Sequence, residues 1–161
     1  MPARHHQGDR RGIGRGGRAT IVALEKGGLA VQRHDLRLDP QGEGLAAGGL
    51  GGDGVWLCHA NPPEAVAFMR RSRSPFWKTR YRIGYWVWEL PRIPDAWARA
   101  APLFHEIWTP SQFSADAIRA GLAARPGDPP VVVRVMPHPL PVMPARSARG
   151  GGPFTFLAMC D

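Results

Sequence analysis

Short apolar runs alternate with amphipathic segments along most of this chain of 161 residues. The runs are rich in β-branched and aromatic side chains and predict buried strands at residues 55–59, 82–88, 105–109 and 131–135. The segments between them space their apolar positions as helices do and predict helices at residues 63–71, 94–104 and 111–125. This alternation, with continuous apolar runs late in the chain, is typical of an α/β fold with a parallel sheet.

The beginning of the pattern is rich in glycine. GIGRGG at residues 12–17 runs into a helical pattern at residues 18–26, and Gly27 and Gly28 supply a helix stop. Residues 29–33 then predict a short strand. A glycine loop that opens a helix lets backbone N–H groups approach a phosphate or sugar oxygen, so this loop is a candidate binding element.

The two ends of the chain depart from the central pattern. Residues 1–11 predict a disordered basic tail, and residues 137–153 have the Pro, Gly and Arg content of a linker. A glycine loop of this kind normally follows a first strand, and a lone final strand cannot bury itself. We therefore expect residues 12–136 to form a Rossmann-like domain without its first strand, and residues 154–161 to begin a truncated second domain.

The charge of the chain is strongly positive, at +8, and almost all of its cations are arginines, since Lys26 and Lys78 are the only lysines. A surplus of arginine suits binding to a polyanion or to an anionic membrane surface. A GC-rich genome also produces a composition rich in Arg, Ala, Gly and Pro. No aromatic RNP pattern, helix-turn-helix signal or zinc spacing accompanies the charge, which argues against nucleic acid as a partner.

Two cysteines, Cys58 and Cys160, lie within apolar runs. Their positions predict buried free thiols rather than a disulfide framework or a zinc site. No apolar run reaches the roughly 18 residues of a transmembrane helix, and no apolar h-region follows the basic N-terminus. We therefore expect a cytoplasmic location, with peripheral contact at the inner face of the membrane left open.

Three blocks in the middle of the chain are more specific than periodicity. They are GYWVWELP at residues 84–91, PDAW at residues 94–97 and EIWTPSQF at residues 106–113. In this order they resemble a bacterial subgroup of the family 4 glycosyltransferases of the two-Rossmann-domain type. VMPHP at residues 135–139 resembles the segment that closes the first domain of such enzymes, and FTFL at residues 154–157 resembles the first strand of the second.

The resemblance implies the acceptor-side half of an enzyme that moves a hexose from a nucleotide-diphosphate sugar to an acceptor hydroxyl. The implied partners are the nucleotide sugar, which is a substrate so that no cofactor is expected, and a glycan or small-molecule acceptor. The sequence departs from the family in lacking the opening strand and the second domain with its paired-glutamate motif for the donor. We therefore expect an N-terminal fragment that is inactive alone.

Several candidate binding residues lie at the ends of predicted strands, where ligands of open α/β sheets gather, while others belong to the glycine loop or, like His138, to the hinge that faces the cleft between the domains. Trp88 offers an aromatic face to a sugar, and Glu89 can accept a hydrogen bond from a hydroxyl. An arginine beside the glycine loop can bind a diphosphate. The full set of predicted substrate-binding residues is Gly14, Gly16, Arg18, Trp88, Glu89, Ser111 and His138.

Each candidate also has a structural interpretation. Trp88 can pack in the core, Glu89 can pair with an arginine, and Ser111 can serve as a helix N-cap alone. No Ser-His-Asp order, metal-ligand cluster or paired-carboxylate site can be assembled, so catalytic residues and a metal site are not assigned. A non-catalytic module that binds a glycan or a polyanion is the alternative function.

Overall fold

The computed structural model describes residues 12–36, 38–39, 41, 54–73 and 76–140. Within them one parallel sheet follows chain order through the strands β1 (Val55–Cys58), β2 (Tyr81–Tyr85), β3 (Glu106–Thr109) and β4 (Val132–Val135). The α-helices are α1 (Gly12–Lys26), α2 (Pro62–Arg71), α3 (Asp95–Ala100) and α4 (Gln112–Ala123), and 3₁₀ turns cover Phe76–Thr79 and Ala101–Leu103. The predicted α/β class with a parallel sheet is confirmed, and the alternation of strand and helix is consistent with a Rossmann-like fold.

One face of the sheet packs against α2, α3 and α4. The parallel register aligns Cys58, Gly84, Ile107 and Val133 across the four strands. Their core is shared with residues of the three helices, namely Ala65, Met69, Trp97, Ala98 and Ile118. Each crossover advances by one strand in the same direction, and right-handed crossovers then place all three helices on one face.

Gly84 makes room for two aromatic rings at the centre of this face. A Cβ atom on Gly84 would lie 2.6 Å from Nε1 of Trp86 and 3.1 Å from the ring of Phe104. These two rings meet edge to face with centroids 5.7 Å apart, and Trp86 is fully buried. The glycine and the first tryptophan of the GYWVWELP block therefore have a packing role.

The second strand ends earlier than its apolar run predicts. The run reaches residue 88, but β2 ends at Tyr85. The N–H of Val87 donates to Oδ1 of Asn61 at 2.9 Å rather than to a neighbouring strand. The alternation of side chains expected of a strand therefore does not extend to Trp88.

The prediction of a glycine loop before the first helix is wrong, because residues 12–17 lie inside α1. Glycine disfavours helix interiors, so tertiary contacts must favour this conformation. The hydroxyl of Thr20 donates to the carbonyl of Gly16 at 3.0 Å, and both residues are buried. From the second turn onward the backbone N–H groups donate to carbonyls within the helix, whereas a phosphate-binding loop would leave them free for a ligand.

The predicted end of this helix is confirmed. Gly28 adopts a positive φ of 81°, its N–H donates to the carbonyl of Glu25, and the N–H of Leu29 donates to the carbonyl of Leu24. These are the two hydrogen bonds of a Schellman motif, and the positive φ suits glycine.

The predicted strand at residues 29–33 is wrong. These residues are mostly exposed and join no strand of the sheet. Arg33 instead donates to both carboxylate oxygens of Glu25 in α1, at 2.6 and 2.8 Å, which directs the segment back along the helix. An apolar run left at the surface gains little from strand pairing.

The remaining predictions about chain organisation are only partly within reach of the structure. The predicted tail at residues 1–11, the linker beyond residue 140, the final strand and Cys160 lie outside the described residues. Residues 137–140 of the predicted linker have no regular secondary structure. Among the described helices, none has both the length and the apolar content needed to cross a membrane.

Candidate functional site

Three aromatic rings stack at the carboxyl edge of the sheet. Tyr85 ends β2 and is fully buried. The ring of His59, directly after β1, stacks on it with centroids 4.2 Å apart, and the ring of His138, shortly after β4, stacks on it at 5.0 Å. The segments after β1 and β4 and the end of β2 therefore converge here, at the edge where open α/β sheets bind ligands. We refer to these three residues as the His–Tyr–His stack.

Tyr85 also joins two loops through its hydroxyl. The hydroxyl donates to the carbonyl of Met136 at 2.7 Å and lies 3.1 Å from Nδ1 of His138. Burial raises the pKa of Tyr85 to about 12, so the hydroxyl keeps its proton at neutral pH. Tyr85 thereby fixes the backbone and the side chain of the segment that follows β4.

Helix α1 covers the stack with two consecutive glycines. A Cβ atom on Gly16 would lie 2.5 Å from Cε1 and 2.7 Å from Nδ1 of His138, and one on Gly17 would lie 3.4 Å from Cβ of His59. The first pair of distances leaves no room for a side chain at Gly16. The glycines therefore allow an imidazole to lie directly against the helix backbone.

His59 carries hydrogen-bonding groups that the protein does not use. Both ring nitrogens are shielded from solvent and have no hydrogen-bond partner. Burial, and to a lesser degree the nearby His138, lowers the pKa of His59 to about 4. The ring is thus neutral, with one donor and one acceptor nitrogen. An unpaired buried polar group costs stability, so each one calls for an explanation.

The hydroxyl of Thr109 is a second unpaired group near this edge. Thr109 ends β3, is fully buried, and its Oγ1 has no hydrogen-bond partner. Successive side chains of a strand point to opposite faces, so Thr109 lies on the face opposite to Glu106 and Trp108. This is the face that the helices cover, not the face of the stack.

Two of the predicted site residues, Trp88 and Ser111, are linked through Ser114. Oγ of Ser111 accepts the N–H of Ser114 at 3.2 Å, which confirms Ser111 as the N-cap of α4. Oγ of Ser114 donates to the carbonyl of Trp88 at 2.6 Å. The indole N–H of Trp88 donates to the carbonyl of Arg92, and its ring packs 4.7 Å from that of Trp97. Both predicted residues therefore have structural partners.

The structure brings Gly16 and His138 into direct contact, although they lie far apart in the sequence. Gly14 and Arg18 lie on the same helix, where Arg18 is exposed. Glu89 is exposed and makes no hydrogen bond or ion pair with a described residue, so its predicted pairing with an arginine is not found there.

Sequence reasoning left two members of the stack out of the predicted set, His59 and Tyr85. His59 carries the only available signal, a polar residue directly after an apolar run. Tyr85 reads as an ordinary strand residue, and its hydroxyl contacts depend on how the segment after β4 folds back. Neither unpaired imidazole nitrogen is visible without coordinates.

The opposite, amino end of the sheet holds a buried carboxylate. Glu106 accepts hydrogen bonds from the Tyr81 hydroxyl at 3.2 Å and from the Trp108 indole at 2.7 Å, and it forms an ion pair with Arg134. These contacts give Glu106 a structural role at the start of its strand. The Tyr81 ring also stacks on His105 with centroids 4.8 Å apart.

A pocket of about 430 Å³ lies away from the carboxyl edge, between α3, the end of α4 and the segment before β4. Its two arginines, Arg119 and Arg125, are paired with Asp116 and Asp128. It therefore offers no unpaired charge to a ligand. Among the described residues, no three His, Cys, Asp or Glu side chains come close enough to hold a metal ion.

No family model, curated protein or solved structure matches this chain. Fold and site together define its class, an α/β domain with a parallel sheet and a partly unpaired imidazole cluster at the carboxyl edge.

Proposed function

We propose that this chain is the acceptor-side domain of a nucleotide-sugar-dependent glycosyltransferase and binds a sugar or other polyol at the carboxyl edge of its sheet. The observation that carries the proposal is the His–Tyr–His stack, which lies at the edge where such folds bind ligands and in which Nε2 of His138 is not shielded and has no partner among the described residues. A polyol suits these groups because each hydroxyl can both donate and accept a hydrogen bond.

The sequence blocks that resemble family 4 glycosyltransferases support the same edge. GYWVWELP at residues 84–91 includes the end of β2 and the segment after it, and EIWTPSQF at residues 106–113 spans β3 and the start of α4. VMPHP at residues 135–139 supplies His138 of the stack. Two separate pieces of the resemblance, which supply Tyr85 and His138, thus lead to one site.

In such a transfer the acceptor-side domain holds the attacking hydroxyl in place. Positioning of this kind lowers the entropic part of the barrier. His138 is the side chain of the stack that is placed to bind a hydroxyl group, and Glu89 is exposed on the neighbouring loop. Stabilisation of the departing nucleotide diphosphate belongs to the donor side of the reaction.

Binding of a polyanion is the alternative, and the net charge of +8 favours it. The hydrogen-bonding groups without a partner in the His–Tyr–His stack include both ring nitrogens of His59, and this imidazole is neutral. A neutral ring offers hydrogen bonds but no charge to attract a polyanion. The stack therefore favours a neutral polyol over a polyanion.

Saturation-transfer NMR with a panel of free hexoses, disaccharides and nucleotide sugars tests the proposal. We expect at least one sugar to receive saturation from the chain, and we expect His59→Leu to weaken that transfer. Arg119→Gln, in the pocket away from this edge, is the control and should leave it unchanged. Binding of heparin or of nucleotides without their sugars, and of no neutral sugar, would favour the polyanion module instead. Release of nucleotide diphosphate, assayed on the same samples, reports whether the chain also turns over.

A further inference from the structure

The hydrogen bonds of Tyr85 determine where the proton of a neighbouring imidazole lies. The carbonyl of Met136 has no proton, so its 2.7 Å contact with the Tyr85 hydroxyl requires the tyrosine proton. A phenol carries one proton only. The 3.1 Å contact between the same hydroxyl and Nδ1 of His138 must therefore be donated by Nδ1–H.

This assignment leaves the other nitrogen of His138 with a defined role. In a neutral imidazole one nitrogen is a donor and the other an acceptor. With the proton on Nδ1, Nε2 carries the lone pair. No described residue donates to Nε2, and it is not among the nitrogens shielded from solvent, in contrast to both nitrogens of His59.

The backbone of α1 supports the same orientation from the other side. The absent side chain of Gly16 leaves space that Cε1 and Nδ1 of His138 occupy, at 2.5 and 2.7 Å from where a Cβ atom would stand. Nε2 lies farther from that point, at 3.4 Å. The Cε1–Nδ1 edge of the ring thus lies closest to Gly16, and Nε2 is the more distant of the two nitrogens from that position.

We propose that Tyr85 is a positioning residue that holds His138 with its proton on Nδ1, so that Nε2 accepts a hydrogen bond from a ligand hydroxyl at the carboxyl edge. The choice of a polyol as the ligand rests on the proposed function. The position of the proton does not, because it follows from the Tyr85 contacts alone.

The position of the proton is tested by ¹⁵N NMR of the histidine rings in the uniformly labelled chain at mildly alkaline pH, where imidazoles are ordinarily neutral. His138→Gln identifies the signals of His138 by removing them. We expect wild-type His138 to show Nδ1 protonated and Nε2 unprotonated. Tyr85→Phe removes the hydroxyl and should shift the signals toward the Nε2–H form that free histidine side chains prefer.

Tyr81→Phe is the matched control, since it removes the other tyrosine hydroxyl, the one that donates to Glu106 at the amino end of the sheet. It should leave the His138 signals unchanged. If Tyr85→Phe does not fold, the wild-type signals alone decide the question, because an Nε2–H tautomer there would overturn the proposal.

The ligand is tested with the tightest-binding neutral sugar of the panel, by comparing its Kd for wild type, Tyr85→Phe and Tyr81→Phe. We expect Tyr85→Phe to weaken binding roughly 3- to 10-fold, the loss associated with one hydrogen bond, and Tyr81→Phe to have no effect. Equal affinity for all three proteins would overturn the positioning role even if the sugar binds. A wild-type chain that binds no sugar but shows the Nδ1–H tautomer would instead refute the proposed function and the choice of ligand.

Discussion

The two ends of the parallel sheet treat their histidine and glutamate side chains in opposite ways. At the amino end, Glu106 receives two hydrogen bonds and an ion pair, and Nδ1 of His105 accepts the N–H of Arg82 at 2.9 Å. At the carboxyl end, both nitrogens of His59 are buried without partners, and Nε2 of His138 receives no hydrogen bond from a described residue.

This difference separates polar residues that hold the fold from polar residues that are available to a ligand. Neither end could be recognised by residue type, because each has histidine, tyrosine and glutamate within reach. What distinguishes them is whether the hydrogen-bonding capacity is used inside the protein. Buried polar groups without a hydrogen bond lower the stability of the fold, and proteins commonly tolerate such groups at ligand-binding sites.

The largest expected effect comes from removing the buried carboxylate. Glu106→Ala leaves the Trp108 indole and the Tyr81 hydroxyl without their acceptor and removes the partner of Arg134. We expect the free energy of unfolding to fall by about 2 kcal/mol or more. Glu89→Ala, at the exposed glutamate near the other end that pairs with no described residue, should change it by less than about 0.5 kcal/mol. Urea denaturation of the two variants makes the comparison, and a similar loss in both would remove the distinction between the ends.

Two neighbouring glycines of α1 provide the next test. Gly16→Ala places a methyl group 2.5 Å from His138, so the ring or the helix must move, at a cost of about 1 to 3 kcal/mol. Gly17→Ala meets His59 at a tolerable 3.4 Å and should gain up to about 1 kcal/mol from the higher helix propensity of alanine.

Thermal denaturation monitored by circular dichroism compares the two glycine variants with wild type. A stabilised Gly16→Ala would show that α1 does not lie against His138 in solution.

Acid should expose the unpaired imidazole of His59. Its pKa is about 4 in the folded chain, against an ordinary value of 6.5, so folding favours the neutral ring. The part of the free energy of unfolding that comes from keeping this ring neutral is fully present above about pH 6.5. It is lost as the pH falls toward 4, by an amount on the order of 1 to 3 kcal/mol. His59→Phe keeps a ring for stacking on Tyr85 and cannot titrate. The free energy of unfolding of this variant, relative to that of wild type, should therefore rise as the pH falls.

Urea midpoints of both proteins between neutral pH and pH 4 measure the effect of His59. Other titrating groups, such as His105, whose pKa is also lowered, are common to the two proteins and cancel in the difference. A constant gap between the proteins would mean that the imidazole charges without cost, through water or a partner.

Periodicity and capping residues predicted most of the sheet and its helices, because both depend on local chemistry. Three strands fall within the predicted apolar runs and β2 begins one residue before its run, and Ser111 and Gly28 act at the helix ends where the sequence puts them. The glycines of α1 were misread as a loop because their helical conformation depends on contacts with His59 and His138, which no local signal encodes.

The candidate site was predictable only as an edge. Gly16 and His138 are both among the predicted substrate-binding residues, and the structure brings these two together. Trp88 and Ser111 are also predicted, from the ends of strands, but their polar groups are engaged in the fold. Hydrogen-bond saturation is a property of the packed molecule, so a strand-end rule cannot sort the two kinds of residue.

Ser111 gives the smallest expected effect and refines the comparison. It lies at the carboxyl end, yet its hydroxyl is used, since it caps α4 through the N–H of Ser114. Ser111→Ala should lower the free energy of unfolding by about 1 kcal/mol, while Ser111→Asp, also a good N-cap, should preserve most of it. If the alanine variant loses stability and the aspartate variant retains it, Ser111 groups with Glu106 rather than with His59. The division then follows hydrogen-bond use and not position along the strands. Equal stability of all three proteins in urea would show that the cap contributes nothing and would return Ser111 to the ligand-binding candidates.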